Sequence, residues 1–576
     1  MKSKKVILGV LIAAAVLAVG VMGYLGFSHG VGPLSFLEKE VPVEVVQGPE
    51  GLKNPVCVTF YDNYKGGAGG QAYYIEKDSM FSESDFPKLT RDGYAFAGWY
   101  TVKDPQLNEE GYYEDEWYFQ KKYMDYGGPT PAEGEVTEMP FTENVNLYAH
   151  WEEPTKISTA KELMDMNQNL YGYYVLEKDI DLSGVEFTPV GVYEAEYEFT
   201  NPQWWVHGFR GTFDGQGHII SGLTFSDGKH GNALFASAGN ATIKNVTLRD
   251  YSITGKSTQG IYTAPLLAFG LGNDLLIENC HTDGVIDIRV EALDSDVIYS
   301  GVTGLTAGCW GGQILDCSAK GKFHFDYHVA NGSEINIGGI NGEGYTTTKN
   351  CDVDMEISGS VTSDATPVNG EDSHGDIYIG MVQGAATIVE NCTAKGSIEV
   401  SYTKPSGETS VNVGGLVGQE RYDSLKNNFV DVDVTVKDGK KVYAGGVVGS
   451  YNTGVYGMIG AMSGISKNNI ENCLVLTKIQ LDSGVEREEV MVGNVVSALP
   501  EGNENPMLSM FMSKDNQLEY KVVKCVCLTS DEETSAGDDS VTFFATLDEM
   551  KGDALKEILG TGWTYKEGEL PVPSAE

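Results

Sequence analysis

Positive charge is scarce in this chain: 40 Lys and Arg stand against 82 Asp and Glu, a formal net charge of −42. A field of that sign repels phosphate backbones at long range, so no nucleic-acid partner is expected. Short ligand motifs are missing too: there is no Asp-x-Asp-x-Asp-Gly calcium loop, no phosphate-binding loop and no His-Glu-x-x-His zinc pair. The nine histidines form no Cys/His or Ser/His/Asp spacing, and among the nine cysteines only Cys525-Val-Cys527 is a close pair, which argues against a zinc site. No metal site, cofactor or catalytic residue is predicted, although surface carboxylates could collect Ca2+ through hard oxygen ligands. Glycine is plentiful, at 71 residues, but lacks a three-residue period, so collagen is excluded and a turn-rich β protein favoured. At 576 residues the chain is too long for one ordinary core, and two or three domains are expected.

What the chain does contain is a rhyme. Ile243-Lys-Asn245-Val, Ile277-Glu-Asn279-Cys280, Ile314-Leu-Asp316-Cys317, Thr348-Lys-Asn350-Cys351, Val389-Glu-Asn391-Cys392 and Ile470-Glu-Asn472-Cys473 recur about 34 to 44 residues apart, with a looser copy at Asn428 filling the widest gap. That period marks a quasi-one-dimensional stack of coils. Between these copies lies a second rhyme, Gly304-Leu-Thr-Ala-Gly308, Gly338-Gly-Ile-Asn-Gly342, Gly380-Met-Val-Gln-Gly384, Gly414-Gly-Leu-Val-Gly418 and Gly445-Gly-Val-Val-Gly449. Glycine weakens a strand unless the backbone must bend or pack closely there, so each coil is read as strand, corner, strand: a β-helix.

With the Asn or Asp as position zero, positions two and four are polar, whereas positions one and three are small or apolar: Val246 and Leu248, Cys280 and Thr282, Cys317 and Ala319. Such alternation is a strand with one face in a narrow core and one in water. Position four alternates in sign through Arg249, Asp283, Lys320, Asp354 and Lys395, which at one strand spacing would form an exposed charge ladder that sets register more than stability. The repeated cysteines read as a file of buried thiols acting as small hydrophobes, not as disulfides. The position-zero residues are expected to stack as an amide file at a turn. Around Asn428 the apolar Val430, Val432, Val434 and Val436 fall one place out of step, and a bulge is expected there.

The basic start Met1-Lys-Ser-Lys-Lys5 precedes 22 uncharged residues, Val6 to Phe27, long enough to cross a membrane as a helix. Residues 1–30 are therefore read as a signal anchor, holding the rest on the outer face of the membrane, or releasing it if that segment is cleaved. Residues 31–54 carry Pro, Gly and charges and read as a linker. The next unit, 55–152, contains Phe86-Pro-Lys-Leu-Thr-Arg-Asp-Gly93-Tyr94-Ala-Phe96-Ala-Gly98-Trp99-Tyr100 and ends in Leu147-Tyr148-Ala149-His-Trp151. These elements resemble the Listeria/Bacteroides-type repeat, which implies a small β-grasp-like module; an acidic, aromatic insertion between about Asp104 and Phe141 departs from that pattern. Ser158-Thr-Ala-Lys-Glu162 reads as a capped lid helix. The run from Tyr174 through Phe209-Arg-Gly211-Thr-Phe213-Asp214-Gly215 to Leu234-Phe235, and Gly414-Gly-Leu-Val-Gly418 above all, resemble GLUG-motif right-handed β-helix proteins. This places a capped solenoid at 155–504 and a closing segment at 505–576, since terminal coils expose strand edges. The resemblance implies an exported bacterial surface protein, commonly one of adhesion or the cell envelope, and no agreed reaction.

Chemistry has few footholds. Asp352, Asp354 and Glu356 on one coil, and Asp283, Asp287 and Arg289 on another, could serve glycoside cleavage, which needs paired carboxylates, but they also fit a solvated strand face. The stronger candidate is the insertion between Gly191 and Phe209, where Tyr197, Trp204, Trp205 and His207 lie among Glu194, Glu196 and Glu198. Flat rings beside carboxylates suit sugars, although the same rings could cover the end of the core. The expectation is a surface protein that binds a glycan or a host protein; a polysaccharide-cleaving β-helix and a structural spacer are the alternatives.

Overall fold

The computed structural model describes residues 42–79, 87, 89–109, 111, 113, 116, 117, 141–191, 208–292, 298–330, 333–364, 376–403, 410–421, 424–451, 467–482, 489–497, 519–528 and 541–574. Every middle coil runs through four strands. In one, Glu334–Gly338 turns a glycine corner into Asn341–Glu343, then Thr347–Lys349, then the long Asp352–Asp364. Each strand pairs in parallel with its counterparts in the coils before and after, building four sheets of seven, seven, eleven and thirteen strands. The chain is a parallel β-helix, as the repeat implies.

The turn between the third and fourth strands explains the first rhyme. Asn245, Asn279, Asp316, Asn350, Asn391, Asn427 and Asn472 all have φ between 51° and 56°. Asn and Asp visit this left-handed region far more readily than other residues with a Cβ, because their short polar side chains bond locally. The side chains form the expected file: Nδ2 of Asn279 donates to Oδ1 of Asn245 (2.9 Å), Asn350 to Asp316 (3.0 Å), Asn391 to Asn350 (3.3 Å), Asn427 to Asn391 (3.0 Å) and Asn472 to Asn427 (3.3 Å). At its start Asn245 donates to Asp214 (3.0 Å).

The reading around Asn428 needs correction. Position zero there is Asn427, and Asn428 takes the place of the cysteine, buried, with Oδ1 accepting from Cys392 N (2.9 Å) and Nδ2 donating to Val389 O (2.9 Å). Phe429–Asp438 then pairs with Thr393–Thr403 without a break, and the four valines face inward like those of other coils. Two adjacent asparagines made the sequence look one residue out of step. A bulge lies instead at Asp250 (φ 54°), between Arg249 and Tyr251.

Inside the stack, Ile243, Ile277, Ile314, Thr348, Val389, Leu425, Ile470 and Val522 lie in register and buried. Each such aliphatic contributes about 1.5–3 kcal/mol by leaving water, and Thr348 is satisfied by the Gln383 amide (2.8 Å). All nine cysteines are free, and eight are buried. Burial pushes the thiols of Cys317, Cys351 and Cys392 far above their ordinary range, so they behave as the inert file expected. The glycine corners have a steric cause: a Cβ at Gly414 or Gly445 would sit 1.9 Å from the carbonyl oxygen of Val417 or Val448.

At the N-terminal end a five-stranded sheet contains Val43–Gln47, Gly70–Glu76, Pro55–Tyr61, Val145–Glu152 and Ala95–Tyr100 in that spatial order. Its edge strand Val43–Gln47 falls within the stretch read as linker. Helix Ala160–Asp165 is capped by Thr159, whose side chain accepts from Glu162 N, and it buries Leu163 over the first coil. At the other end Met550, Leu555, Leu559 and Trp563 pack on Phe429, Leu474 and Val526, so position two turns apolar where the closing segment covers the outer face. No helix among the described residues is long and apolar enough to cross a membrane, and Val6 to Phe27 lies outside those residues.

Candidate functional site

Tyr197, Trp204, Trp205 and His207 lie outside the described residues. The scaffold on either side of them is firm: Gly191 N donates to Asn167 Oδ1 (2.9 Å), and Phe209 N donates to Ser237 O (2.9 Å). The insertion thus begins and ends on the first coils.

The candidate acids of the long sheet occupy its outer face. Arg249, Asp283, Lys320, Asp354, Lys395 and Asp431 align residue for residue across six coils, and all six are exposed. Glu356 pairs with Lys322 (2.6 Å), and Arg289 lies 3.5 Å from Asp326. A second alternating file runs beside the asparagine turns, with Lys349–Glu390 at 2.7 Å, Lys426–Glu471 at 3.9 Å and Lys244–Asp214 at 3.8 Å. These carboxylates are spread along the files of one sheet face, interleaved with lysines and an arginine; Glu356 among them is ion-paired, and Asp287 is half-buried.

One place does gather acids around a base, and sequence reasoning missed it. Where the two seven-stranded sheets meet at the glycine corner, Glu343 is buried and Arg421 wholly so. Arg421 donates to Glu334 Oε1 (3.2 Å) and lies 3.6 Å from Glu343 Oε2. Asn336 Nδ2 donates to both carboxylates, at 3.0 Å to Glu334 and 3.3 Å to Glu343, and Tyr262 OH donates to the other Glu343 oxygen. Burial raises the Glu343 carboxyl to about 7, with Glu334's charge adding to the rise and Arg421 opposing it. Next to this set, Asp376 accepts from Tyr378 OH (3.0 Å) and from Ser410 Oγ (2.6 Å). Both oxygens of Glu343 are engaged, which ties the coils together and closes that carboxylate to a substrate, whereas Glu334 is bonded through Oε1 and its side chain is 23% exposed. The signal available in sequence was Asn341-Gly-Glu343, where the matching corner strand of the next coil reads Gln383-Gly-Ala385.

A third constellation arises from a flaw in the amide file. Asp316 has no N–H to donate, so Asn279 Oδ1 receives nothing from the following coil and accepts from His281 Nε2 instead (3.0 Å). That bond assigns the proton to Nε2 and leaves Nδ1 to accept from Ser318 OH (2.9 Å). Burial lowers the His281 pKa, which favours the neutral ring. The pair resembles a base-activated hydroxyl in geometry. Ser318 N, however, is bonded to Cys280 O (3.0 Å) within the ladder, which leaves it unable to act as an oxyanion donor.

No family model matches the chain. Over 300 residues, 50% of this chain, it is 26% identical to the immunoglobulin A1 protease of Streptococcus sanguinis, and the match spans 14% of that relative's length. A crystal structure from Bacteroides ovatus, named as a candidate immunoglobulin A1 protease, aligns over 73% of this chain and 92% of that one, at 14% identity and a TM-score of 0.28.

Proposed function

We propose that this chain is the outward-facing, β-helical binding part of a bacterial cell-surface protein, of the GLUG type and preceded by a Listeria/Bacteroides-type module. On this reading residues 1–30 anchor it in the membrane, and it works by binding and not by catalysis. The observation that carries the reading is the outer face of the long sheet, whose acids lie dispersed in files interleaved with bases. A polysaccharide-cleaving enzyme needs two carboxylates converging in an open groove. Among the described residues the convergence at Glu334 and Glu343 has one of its two carboxylates closed: Glu343 is buried, with its oxygens bonded by Asn336 and Tyr262 and Arg421 beside it.

The ligand we assign is a glycan or a host glycoprotein, contacted by Tyr197, Trp204, Trp205 and His207. Similarity to a protein named for immunoglobulin A1 makes that antibody the first host protein to try. Residues 31–576 would be tested on a glycan array and on immobilised immunoglobulin A1, beside a Trp204→Ala/Trp205→Ala variant. Binding that the variant loses supports an adhesin site on the insertion. Binding that the variant keeps moves the site to the sheet faces, and no binding by either protein leaves the structural spacer as the better reading.

A further inference from the structure

We infer that the small N-terminal module is the cap of the solenoid and not a tethered spacer: its inserted residues Gly111, Tyr113 and Glu116 close the apolar start of the first coil, and module and solenoid fold as one unit. Three independent features meet at this joint. The first is the chain path. Strand Val145–Glu152, which pairs on both sides within the module's sheet, runs into Pro154–Ile157, the terminal strand of the eleven-stranded sheet, with Glu153 alone between them. A connection of one residue leaves little freedom for the two bodies to turn.

The second is the core. Val56, Val58, Phe60, Trp99, Leu147 and Trp151 form the module's own cluster. Ala97, Tyr100 and Tyr113, by contrast, belong to the solenoid's cluster with Leu163, Met166, Leu170 and Tyr171. Tyr113 meets Tyr171 edge-on at 5.2 Å and Tyr100 at 5.3 Å. Gly111 is required by the fit: at φ 85° it brings the backbone so close that a Cβ would sit 2.9 Å from Asn167 O. Its carbonyl accepts from Leu170 N (3.3 Å).

The third is a buried polar lock. Both oxygens of Glu116, on the module, are held by Arg210 of the second coil, at 3.0 and 3.2 Å, and the Tyr171 hydroxyl donates to Glu116 at 2.6 Å. The side chains of Arg210 and Glu116 are 11% and 6% exposed, so neither charge could keep its place without the other. Beside them Glu152 accepts from Tyr113 OH and from Asn169 Nδ2 (3.2 Å), again one group from each body. Glu116, Tyr113 and Gly111 all lie in the insertion that departs from the module's family pattern. That departure is what a cap requires.

Native-state amide exchange on the unmodified full chain tests this first. Ala95–Tyr100 and Tyr173–Leu176 should open with the same free energy and the same denaturant dependence, and calorimetry should show them in one transition. Glu116→Ala and Arg210→Ala should each lower that transition by about 3–5 °C and speed exchange in both segments. The reversed pair Glu116→Arg/Arg210→Glu should recover part of the loss. Separate transitions for module and solenoid in the unmodified chain, or faster exchange in the module alone in Glu116→Ala, would overturn the inference.

Discussion

The outer face of the long sheet and the glycine corner both carry acids opposite bases, yet the two arrangements do different physical work. On the long sheet, Asp283, Lys320, Asp354 and Lys395 stand one coil apart in water. Solvent screens such pairs, and each is worth a few tenths of a kcal/mol. At the corner, Glu343 and Arg421 are withdrawn from water with Glu334 part-exposed beside them, and the loss of either buried member leaves an uncompensated charge inside the protein. Repetition of weak pairs is expected to act on register; a single buried set ties distant coils, since Tyr262 and Glu343 are 81 residues apart and Arg421 and Glu334 are 87 apart.

The sharpest way to break that comparison is Arg421→Ala. It should destabilise the solenoid by about 3–5 kcal/mol, read as a lowered thermal midpoint. The loss should be greater at pH 8 than at pH 5, because Glu343 is protonated at the lower pH. Glu343→Gln tests the same point from the other partner. The Glu343 carboxyl is raised from 4.5 to about 7 in the fold. Between those values the folded state holds a proton that the unfolded state has released, so this group's contribution falls as pH rises through that window and is flat above it. The stability difference between parent and Glu343→Gln should therefore slope between pH 5 and 7. A difference independent of pH would show that the carboxyl titrates normally.

Next in size is the amide file. Asn350→Ala loses two side-chain bonds and places a Cβ residue without a local partner at φ 55°, for about 2 kcal/mol in urea unfolding. Asn350→Gly keeps the turn without strain, and the gap between the two variants isolates the cost of the left-handed backbone. The smallest effect belongs to the outer ladder. Lys320→Asp sets three acids side by side and should cost about 0.5 kcal/mol, less at 1 M salt. A loss as large as that of Arg421→Ala would erase the distinction drawn between the two regions.

Much of the fold was legible because it repeats. One coil's Asn-Cys pair is ambiguous, but six copies of the turn in step, five of them followed by Cys, reveal the turn, the buried thiol file and the inward and outward faces, and the charge ladder followed from the same numbering. The slip at Asn427 and Asn428 shows the limit: two asparagines satisfy one pattern in either register, and the choice was made by Asn428 reaching Cys392 N and Val389 O inside the core. The corner set was hidden for a related reason, since Tyr262, Glu343 and Arg421 hold no common place in the repeat. The same applies to Glu116 and Arg210, which belong to different units and meet only when these dock.

By itself the sequence determined the coil: its period, its Asn turn, its glycine corner and the face each side chain takes. These follow from local backbone geometry and from strand alternation, which act on neighbouring residues and are repeated often enough to be read. Only the tertiary structure decided which acids are screened and which are buried, how the module sits on the first coil, and that Asp316 would leave Asn279 to orient His281. Those outcomes depend on solvent exclusion and on partners dozens of residues away, and a linear pattern carries neither distance nor burial.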